Sequence, residues 1–446
     1  MNIQIWLRRS LAAAVVVTGS VLGADGASAQ TAQRITFEDA IGIALQQSTT
    51  IARSANTQTL NHLAVSDARM GFLPDLRVST SGSQDLQSSG IGGASQSMNA
   101  RLSSSVTVFD GFANIANLRS AQLQQEAGSM DAERTRQDVV FSVISGYLTL
   151  VEAREQVRVA EDNLSAQTER EAELAILVER GSRPVADLYQ QRATAAAARS
   201  TLVEAERARQ LAEVGLVQVL RLDAAAEYDF ESPAITDAAR DVVLDVTTLV
   251  EQALLRRPDI AALSARTDAA QQGVRAAQAS RLPTVSLSAG YGANYSSAAE
   301  LGLTDQLDRS RGGSVSLSVS VPIFDRLSSG HSIERANIQV DNARLTLDDQ
   351  RQQVSLEVKR AVLDREAAVA RLEAADARVE AAQQALTSTE ARYDAGVATL
   401  FEVTQSRAAA VDATSAQVRA RYTLVYQDQV LAYYTGTLNA GARLTN

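Results

Sequence analysis

Every seventh position from Val340 is apolar or alanine: Val340, Leu347, Val354, Ala361, Ala368, Ala375 and Ala382. Leu372, Val379, Leu386 and Tyr393 run beside them, and Val143, Leu150, Val157 and Leu164 repeat the spacing earlier in the chain. A sustained period of seven predicts a coiled-coil seam, and alanine in the seam lets helices approach closely. No proline falls between Phe112 and Arg180 or between Leu327 and Ala395. The six prolines (Pro74, Pro184, Pro233, Pro258, Pro283, Pro322) sit at joints, as expected of a residue that breaks helix interiors. Long helices are therefore expected over about 112–180 and 327–395, each roughly 100 Å at about 1.5 Å per residue. Residues 36–71 and 184–222 together match the first of these in length. The expected arrangement is one long helix antiparallel to two short ones stacked end to end. Its turns fall at Arg180–Pro184 and Ala395–Val397, where Gly181 and Gly396 suit a helix C′ position.

A second pattern has period two. Ser314-Val315-Ser316-Leu317-Ser318-Val319-Ser320-Val321 alternates strictly, as does the stretch from Val285 to Tyr295. Leu76–Ser79 and Leu102–Val108 do so more weakly. Strands follow at about 75–87, 98–109, 284–296 and 313–324. Their lengths fit tilted membrane strands, although a half-buried soluble hairpin shows the same alternation. Gly- and Ser-rich loops are expected at 87–97 and 296–313.

The two patterns occur twice. Ala68–Pro74 is echoed by Ala277–Pro283, and Ile41, Leu45 and Ile51 by Val250, Leu254 and Ile260, all 209 positions apart. Val106–Asp110 matches Val321–Asp325 at 215 positions. Such self-similarity marks a duplicated unit. The expected division is a first repeat over 30–222, an equatorial connection over 223–247, a second repeat over 248–435 and a C-terminal tail over 436–446. The fold class is mainly α with membrane β: long coiled-coil helical hairpins plus β-hairpins.

In lipid every backbone N–H and C=O needs a partner, so a sheet with open edges cannot stand there alone. One chain supplies four strands, too few to close a barrel. Two chains would give eight strands and a filled bore; three would give twelve and a channel. The expectation is a trimeric 12-strand β-barrel continued by a 12-helix α-barrel.

Composition narrows the chemistry. The 446 residues carry 42 basic and 52 acidic side chains, a net charge of −10, and no cysteine. Cysteine's absence removes disulfides, thiolate metal sites and an N-terminal lipidated cysteine. An acidic balance without basic blocks argues against nucleic acid. Arg8 and Arg9, the apolar run Leu11–Leu22 and the small-residue site Ala27-Ser28-Ala29 read as a secretory signal peptide over 1–29, cleaved before Gln30. His62 and His331 lack neighbouring ligands, and Asp348-Asp349 reads as a solvated helix face. No phosphate loop follows a strand. No catalytic residue, cofactor site or metal site is expected, and the chain reads as no enzyme.

The chain resembles the TolC-like outer-membrane channel family, the outer-membrane factors. The resemblance rests on the duplication, Leu73-Pro74 and Leu282-Pro283 before strands, Val108-Phe109-Asp110-Gly111, Val321-Pro322-Ile323-Phe324-Asp325, Arg256-Arg257-Pro258-Asp259-Ile260 and the two glycine turns. It implies a homotrimer set in outer-membrane lipid, docked to a periplasmic adaptor (membrane fusion) protein and an inner-membrane transporter of RND, ABC or MFS type. The implied function is the exit duct of a tripartite efflux system. Type I protein secretion is the alternative, and a structural coiled-coil envelope protein is the alternative from another class. The resemblance also implies a periplasmic aperture: Tyr393 with Asp187 as a polar link, Glu402 and Gln405 at acidic-ring positions. Ala398 stands where the best-known member of the family has a linking arginine, and Gln405 where a second acid would be. Gly181 and Gly396 become candidate adaptor-contact tips.

Overall fold

The computed structural model describes residues 33–84, 96–232, 240, 244–297, 299 and 301–438. The signal-peptide reading of 1–29 and most of the loop expected at 87–97 lie outside the described residues. The first half runs β1 (Gln33–Ile35), α1 (Phe37–Gln47), α2 (Thr49–Met70), β2 (Arg77–Gln84), β3 (Gln96–Phe109), α3 (Ala113–Glu179) and α4 (Val185–Leu220). The second half runs β4 (Tyr228–Phe230), α5 (Val246–Arg256), α6 (Pro258–Ala279), β5 (Thr284–Ser296), α7 (Leu303–Ser310), β6 (Gly312–Ser320), α8 (Ser328–Asp394) and α9 (Leu400–Tyr434).

Local chemistry sets many of these boundaries. Thr36 and Asp39 form a capping box that opens α1. Ser48 ends α1 and caps α2 through its hydroxyl, which accepts from the Ile51 amide. Pro258 takes the first position of α6, where its missing N–H is harmless. Gly181 and Gly396 adopt φ of 73° and 77° just past α3 and α8. Their amides, with those of Ser182 and Val397, satisfy the last helical carbonyls.

The long helices α3 and α8 have 67 residues each. The seam positions Val340, Leu347, Val354, Ala361, Ala368 and Ala375 are buried, as are Val143, Leu150 and Val157. α3 packs against α2 and α4 on one flank and α6 and α9 on the other; α8 packs against α5, α6 and α9. The helical wall therefore reads, in order, α2 stacked with α4, then α3, then α6 stacked with α9, then α8.

The sheet order is β2-β3-β5-β6, antiparallel throughout. Among the described residues β2 and β6 each pair on one side only. Serine hydroxyls meet across strands, Ser83 with Ser97 at 2.7 Å and Ser288 with Ser316 at 2.8 Å. A bulge separates Thr107 from Phe109.

Three features depart from the expected elements. The strand expected over about 313–324 ends at Ser320, because Pro322 has no N–H for the ladder. The loop expected at 296–313 contains α7, where Gln306 is buried and bonds the backbone of Ser296 and Leu301. Within the region expected as an equatorial connection, Tyr228–Phe230 forms β4, which pairs parallel with β1. That pair caps the main core at mid-height. Phe37 and Tyr147 meet there edge to face at 5.2 Å, with Ile144, Leu150, Leu216, Leu220 and Phe230 fully buried around them. Such an aromatic pair adds about 0.5–1.5 kcal/mol beyond its area. The Tyr147 hydroxyl donates to the Glu231 carbonyl, and Arg154 donates to the Phe230 carbonyl, so a buried hydroxyl and a partly buried guanidinium hold β4 in place.

Candidate functional site

The ends of both helical hairpins meet at one place. Leu174 of α3 and Leu188 of α4 pack with Tyr393, Ala398, Leu400 and Val403 of the second hairpin, forming a small core of their own. The Tyr393 ring, 2% exposed, lies between two guanidiniums: Arg183 at 4.1 Å and Arg170 at 4.9 Å from its centroid. Arg183 also donates to the Tyr393 carbonyl at 2.9 Å. Arg170 holds Glu173 at 2.9 Å and reaches Asp394 at 3.5 Å. Each cation over the ring contributes about 0.5–2 kcal/mol. Burial raises the tyrosine pKa. The Tyr393 hydroxyl and Arg170 Nε are buried without a hydrogen-bond partner among the described residues.

Asp187 sits in the first turn of α4, its amide donating to the Pro184 carbonyl at 3.1 Å. No hydrogen bond joins its carboxylate to Tyr393 among the described residues. The structure thus brings Tyr393 and Asp187 into one tip without linking them directly. Arg170 and Arg183, which sequence reasoning passed over, hold the ring instead. Each pairing spans more than 200 positions and belongs to no local motif, so no sequence signal pointed to it.

Glu402 has a local role as well. Thr399 caps α9 by accepting from the Glu402 amide, and the Glu402 carboxylate accepts from the Thr399 amide at 2.7 Å and hydroxyl at 3.1 Å. These bonds hold the Glu402 pKa below the usual carboxylate value. Arg392 lies 4.0 Å away. Gln405 is exposed one turn further on. Ala398 is buried in the tip core. Around Gly181 and Gly396 no heavy atom comes within 4 Å of where a Cβ would sit, so both turns project into open space.

Other candidates come apart. His62 and His331 are exposed on different helices, and Asp348 and Asp349 are exposed on α8. Among the described residues no cluster of three or more acidic or histidine side chains is placed to hold a metal, and no helix is long and apolar enough to cross a membrane.

Strands alternating apolar and serine residues are continued by long paired helices that end in one packed tip, a mainly helical fold with a four-stranded sheet at one end. The chain belongs to the outer membrane efflux protein family, whose profile matches residues 40–220 and 249–437. It is similar to protein CyaE of Bordetella pertussis, 28% identical over 304 residues, covering 68% of this chain and 63% of that one. It is also 30% identical over 231 residues to the pyoverdine export outer membrane protein OpmQ of Pseudomonas putida, covering 49% of this chain and 46% of that one. The aligned regions span about half to three-fifths of these relatives' length. Among solved structures, CusC matches with a TM-score of 0.79 at 18% identity, covering 90% of this chain and 92% of that one. The outer membrane protein VceC of Vibrio cholerae matches with a TM-score of 0.75 at 21% identity, covering 90% and 96%. At such identities the likeness is one of fold. The family places the chain in the outer membrane.

Proposed function

We propose that three copies of this chain close into one passive exit duct, a twelve-strand barrel continued by a twelve-helix column reaching into the periplasm. One observation carries the reading: an outer-membrane chain presents a four-stranded sheet whose two outer strands, β2 and β6, each pair on one side only among the described residues. Lipid offers those edges no hydrogen bonds. Apolar side chains on the outer helices support the same closure. Val203, Leu211 and Val214 on α4, and Ile338, Leu345, Leu356 and Leu363 on α8, are exposed at the two ends of the helical order. A ring brings those ends together.

Substrate enters at the hairpin tips, which form the aperture. Tyr393 and its arginines hold the two hairpins of one protomer together there. Three Glu402 carboxylates around the mouth focus negative potential, while Gln405 adds none. Asp187 stands beside the link. The projecting turns at Gly181 and Gly396 meet a periplasmic adaptor, and an inner-membrane transporter of RND, ABC or MFS type supplies the energy. OpmQ is named for pyoverdine export, which favours a small-molecule cargo over a protein one.

Detergent-extracted protein tests the duct. A trimer mass, together with cation-selective conductance in planar bilayers, is expected. Glu402→Gln should lower cation selectivity while leaving the trimer intact. A stable, non-conducting monomer would sink the proposal.

A further inference from the structure

The register of the sheet sorts its residues onto two faces, because residues paired across antiparallel strands point to the same side. Val78, Leu102 and Tyr291 stand in one row, and Val106, Leu287 and Leu317 in another, on an apolar face. The opposite face is built of serine, threonine, asparagine and glycine, with two exceptions, Arg77 and Arg101. In a closed ring the apolar face meets lipid and the small polar face lines the bore. Tyr291 and Tyr295, in register with Leu102 and Met98, fall on the apolar face toward the outer end of the strands, where an aromatic girdle belongs. Arg101, next to Leu102 in β3, therefore stands near the outer end of the bore.

The two arginines differ in their surroundings. Arg77 lies 3.6 Å from Asp75, whose carboxylate also accepts from the Ser105 amide at 2.7 Å. Arg101 is exposed, and its side chain makes no hydrogen bond or ion pair among the described residues. Its neighbours in the same row are Ser79 on β2, Gly292 on β5 and Gly312 on β6. Gly292 has no room for a side chain: a Cβ there would lie 2.8 Å from the Ala100 carbonyl and 3.5 Å from Arg101 Cβ. Beside the guanidinium the wall is thus bare backbone. One row further out on the same face, about 7 Å along the strand at about 3.4 Å per residue, Asn99 pairs with Asn294.

The duplication gives a separate argument that the fold does not require this charge. Carried forward 215 positions, Arg101 falls on Ser316; carried forward 209, its partner Ser79 falls on Ser288. Ser288 and Ser316 pair in the second hairpin as Ser79 and Arg101 pair in the first, and their hydroxyls meet at 2.8 Å. Serine satisfies the ladder at this position. The arginine answers to something else.

We propose that Arg101, with Asn99 and Asn294 beside it, forms an oxyanion site in the bore near its exit, one per chain at a common level, which takes the carboxylate, sulfonate or phosphate group of a departing substrate. The inference rests on the ring proposed above, which turns this face into a bore. A guanidinium presents its donors as a planar fork that fits two oxygens of such a group, and the two amides supply further donors. Water on the remaining sides keeps the hold weak, as a conduit requires of a group that must enter and leave. The acidic mouth does not cancel the site. α8 alone has 67 residues, about 100 Å at about 1.5 Å per residue, whereas charge is screened within about 8 Å at physiological salt. The two ends of the path carry opposite charge and act independently, and the cargo class becomes small molecules bearing an oxyanion group.

The absence of cysteine makes the site directly testable. Full-length protein in outer-membrane vesicles would carry Ser79→Cys, opposite Arg101 at about 5 Å between Cβ atoms. The probes are sulfonatoethyl methanethiosulfonate, itself an oxyanion, and trimethylammonioethyl methanethiosulfonate, a cation. The ratio of anionic to cationic labelling rate should fall several-fold when Arg101→Ser is added, a change that copies the serine of the second hairpin. Citrate should slow the sulfonate reagent several-fold more than potassium chloride of equal ionic strength, and should lose that advantage with Arg101→Ser. An unchanged ratio, or citrate acting no more than chloride, in protein of trimer mass would overturn the site and leave the duct standing. No labelling of Ser79→Cys, or labelling of Leu102→Cys in its place, would overturn the assignment of Arg101 to the bore. Protein of monomer mass would overturn the ring and the site with it.

Discussion

Arg257 is 3% exposed and sits where α5 gives way to α6. Its Nε and Nη2 donate to both oxygens of Asp259, at 3.0 and 2.7 Å, and its Nη1 donates to Glu357 of α8 at 2.7 Å. Gln350 of α8 adds a bond to Asp259 at 3.0 Å. One guanidinium thus fixes the kink between two short helices onto the long helix beside them. Arg257→Met keeps most of the volume and removes the charge, leaving the Asp259 and Glu357 carboxylates without the cation they share, with Arg134 still acting on Asp259. Breaking a fully buried pair from one side costs about 3–5 kcal/mol. Here the carboxylates keep 21% and 20% exposure, which lowers the expectation to about 2–4 kcal/mol.

The pH dependence has a defined sign. Burial alone would raise the Asp259 pKa, but the hydrogen bonds and charge of Arg257 outweigh it and hold the group below 3.8. A depressed folded-state pKa stabilises above the unfolded value and is lost as pH falls through the folded one. The penalty of Arg257→Met should therefore be full near neutral pH and shrink in acid below the ordinary carboxylate range. Guanidinium unfolding of the detergent-solubilised protein, followed by far-ultraviolet circular dichroism, measures it. The triple variant Arg257→Met, Asp259→Asn, Glu357→Gln should recover part of the loss, because it removes the stranded charges. A triple variant less stable than Arg257→Met alone would refute the electrostatic account.

Tyr393→Phe deletes a buried hydroxyl that has no partner among the described residues, so tip stability should hold or rise by up to about 1 kcal/mol. Tyr393→Ala opens a cavity and removes both cation contacts, at about 3–5 kcal/mol. Limited trypsin cleavage after Arg180 reports the difference, and a protease-sensitive Tyr393→Phe would show that the hydroxyl bonds a neighbour in the assembly. Gly111→Ala places a methyl against Leu282 and the Ala279 carbonyl at φ of 69°, costing about 1–3 kcal/mol for overpacking on top of the left-handed strain. Gly396→Ala meets open space and should cost only that strain, about 1–2 kcal/mol; equal melting shifts for the two would contradict the close-approach argument.

The parts of the fold that could be read along the chain are those carried by long periodic patterns. The period of seven marks a seam that is buried from Val340 to Ala375 and loosens to half-buried at Ala382 and Leu386, near the tip. Features depending on contacts between distant short segments were out of reach. β1 and β4 have three residues each, too few to show any period, and they meet across most of the first repeat. Arg170 and Arg183 find Tyr393 from the other copy. The capping box at Thr399 and Glu402 is a different case. Its Thr-x-x-Glu spacing is visible in the sequence, yet Glu402 read there only as a ring acid or a solvated face. Pro322 likewise stood in plain view inside a stretch read as strand.

That capping box bears on the proposed aperture. Bonding to its own helix N-terminus does not remove this carboxylate from the proposed pore, because the bonds from Thr399 favour the charged form. Glu402 therefore stays ionised at neutral pH, and it is fixed in position rather than swinging on a free side chain. Capping and ring charge are compatible: the cap sets where the charge stands. The first copy has no counterpart. α4 begins at Val185 behind Pro184, an N-cap residue that offers no side-chain bond, and carries the half-buried Asp187 in its first turn. The duplication has thus diverged at the tips while staying in register along the helices and strands. This divergence falls at the end where two hairpins of one chain, and in the proposed ring six hairpins of three chains, converge on a single mouth. Because glutamine can complete a capping box as glutamate does, Glu402→Gln removes the charge and keeps the scaffold, which separates the two roles of one side chain.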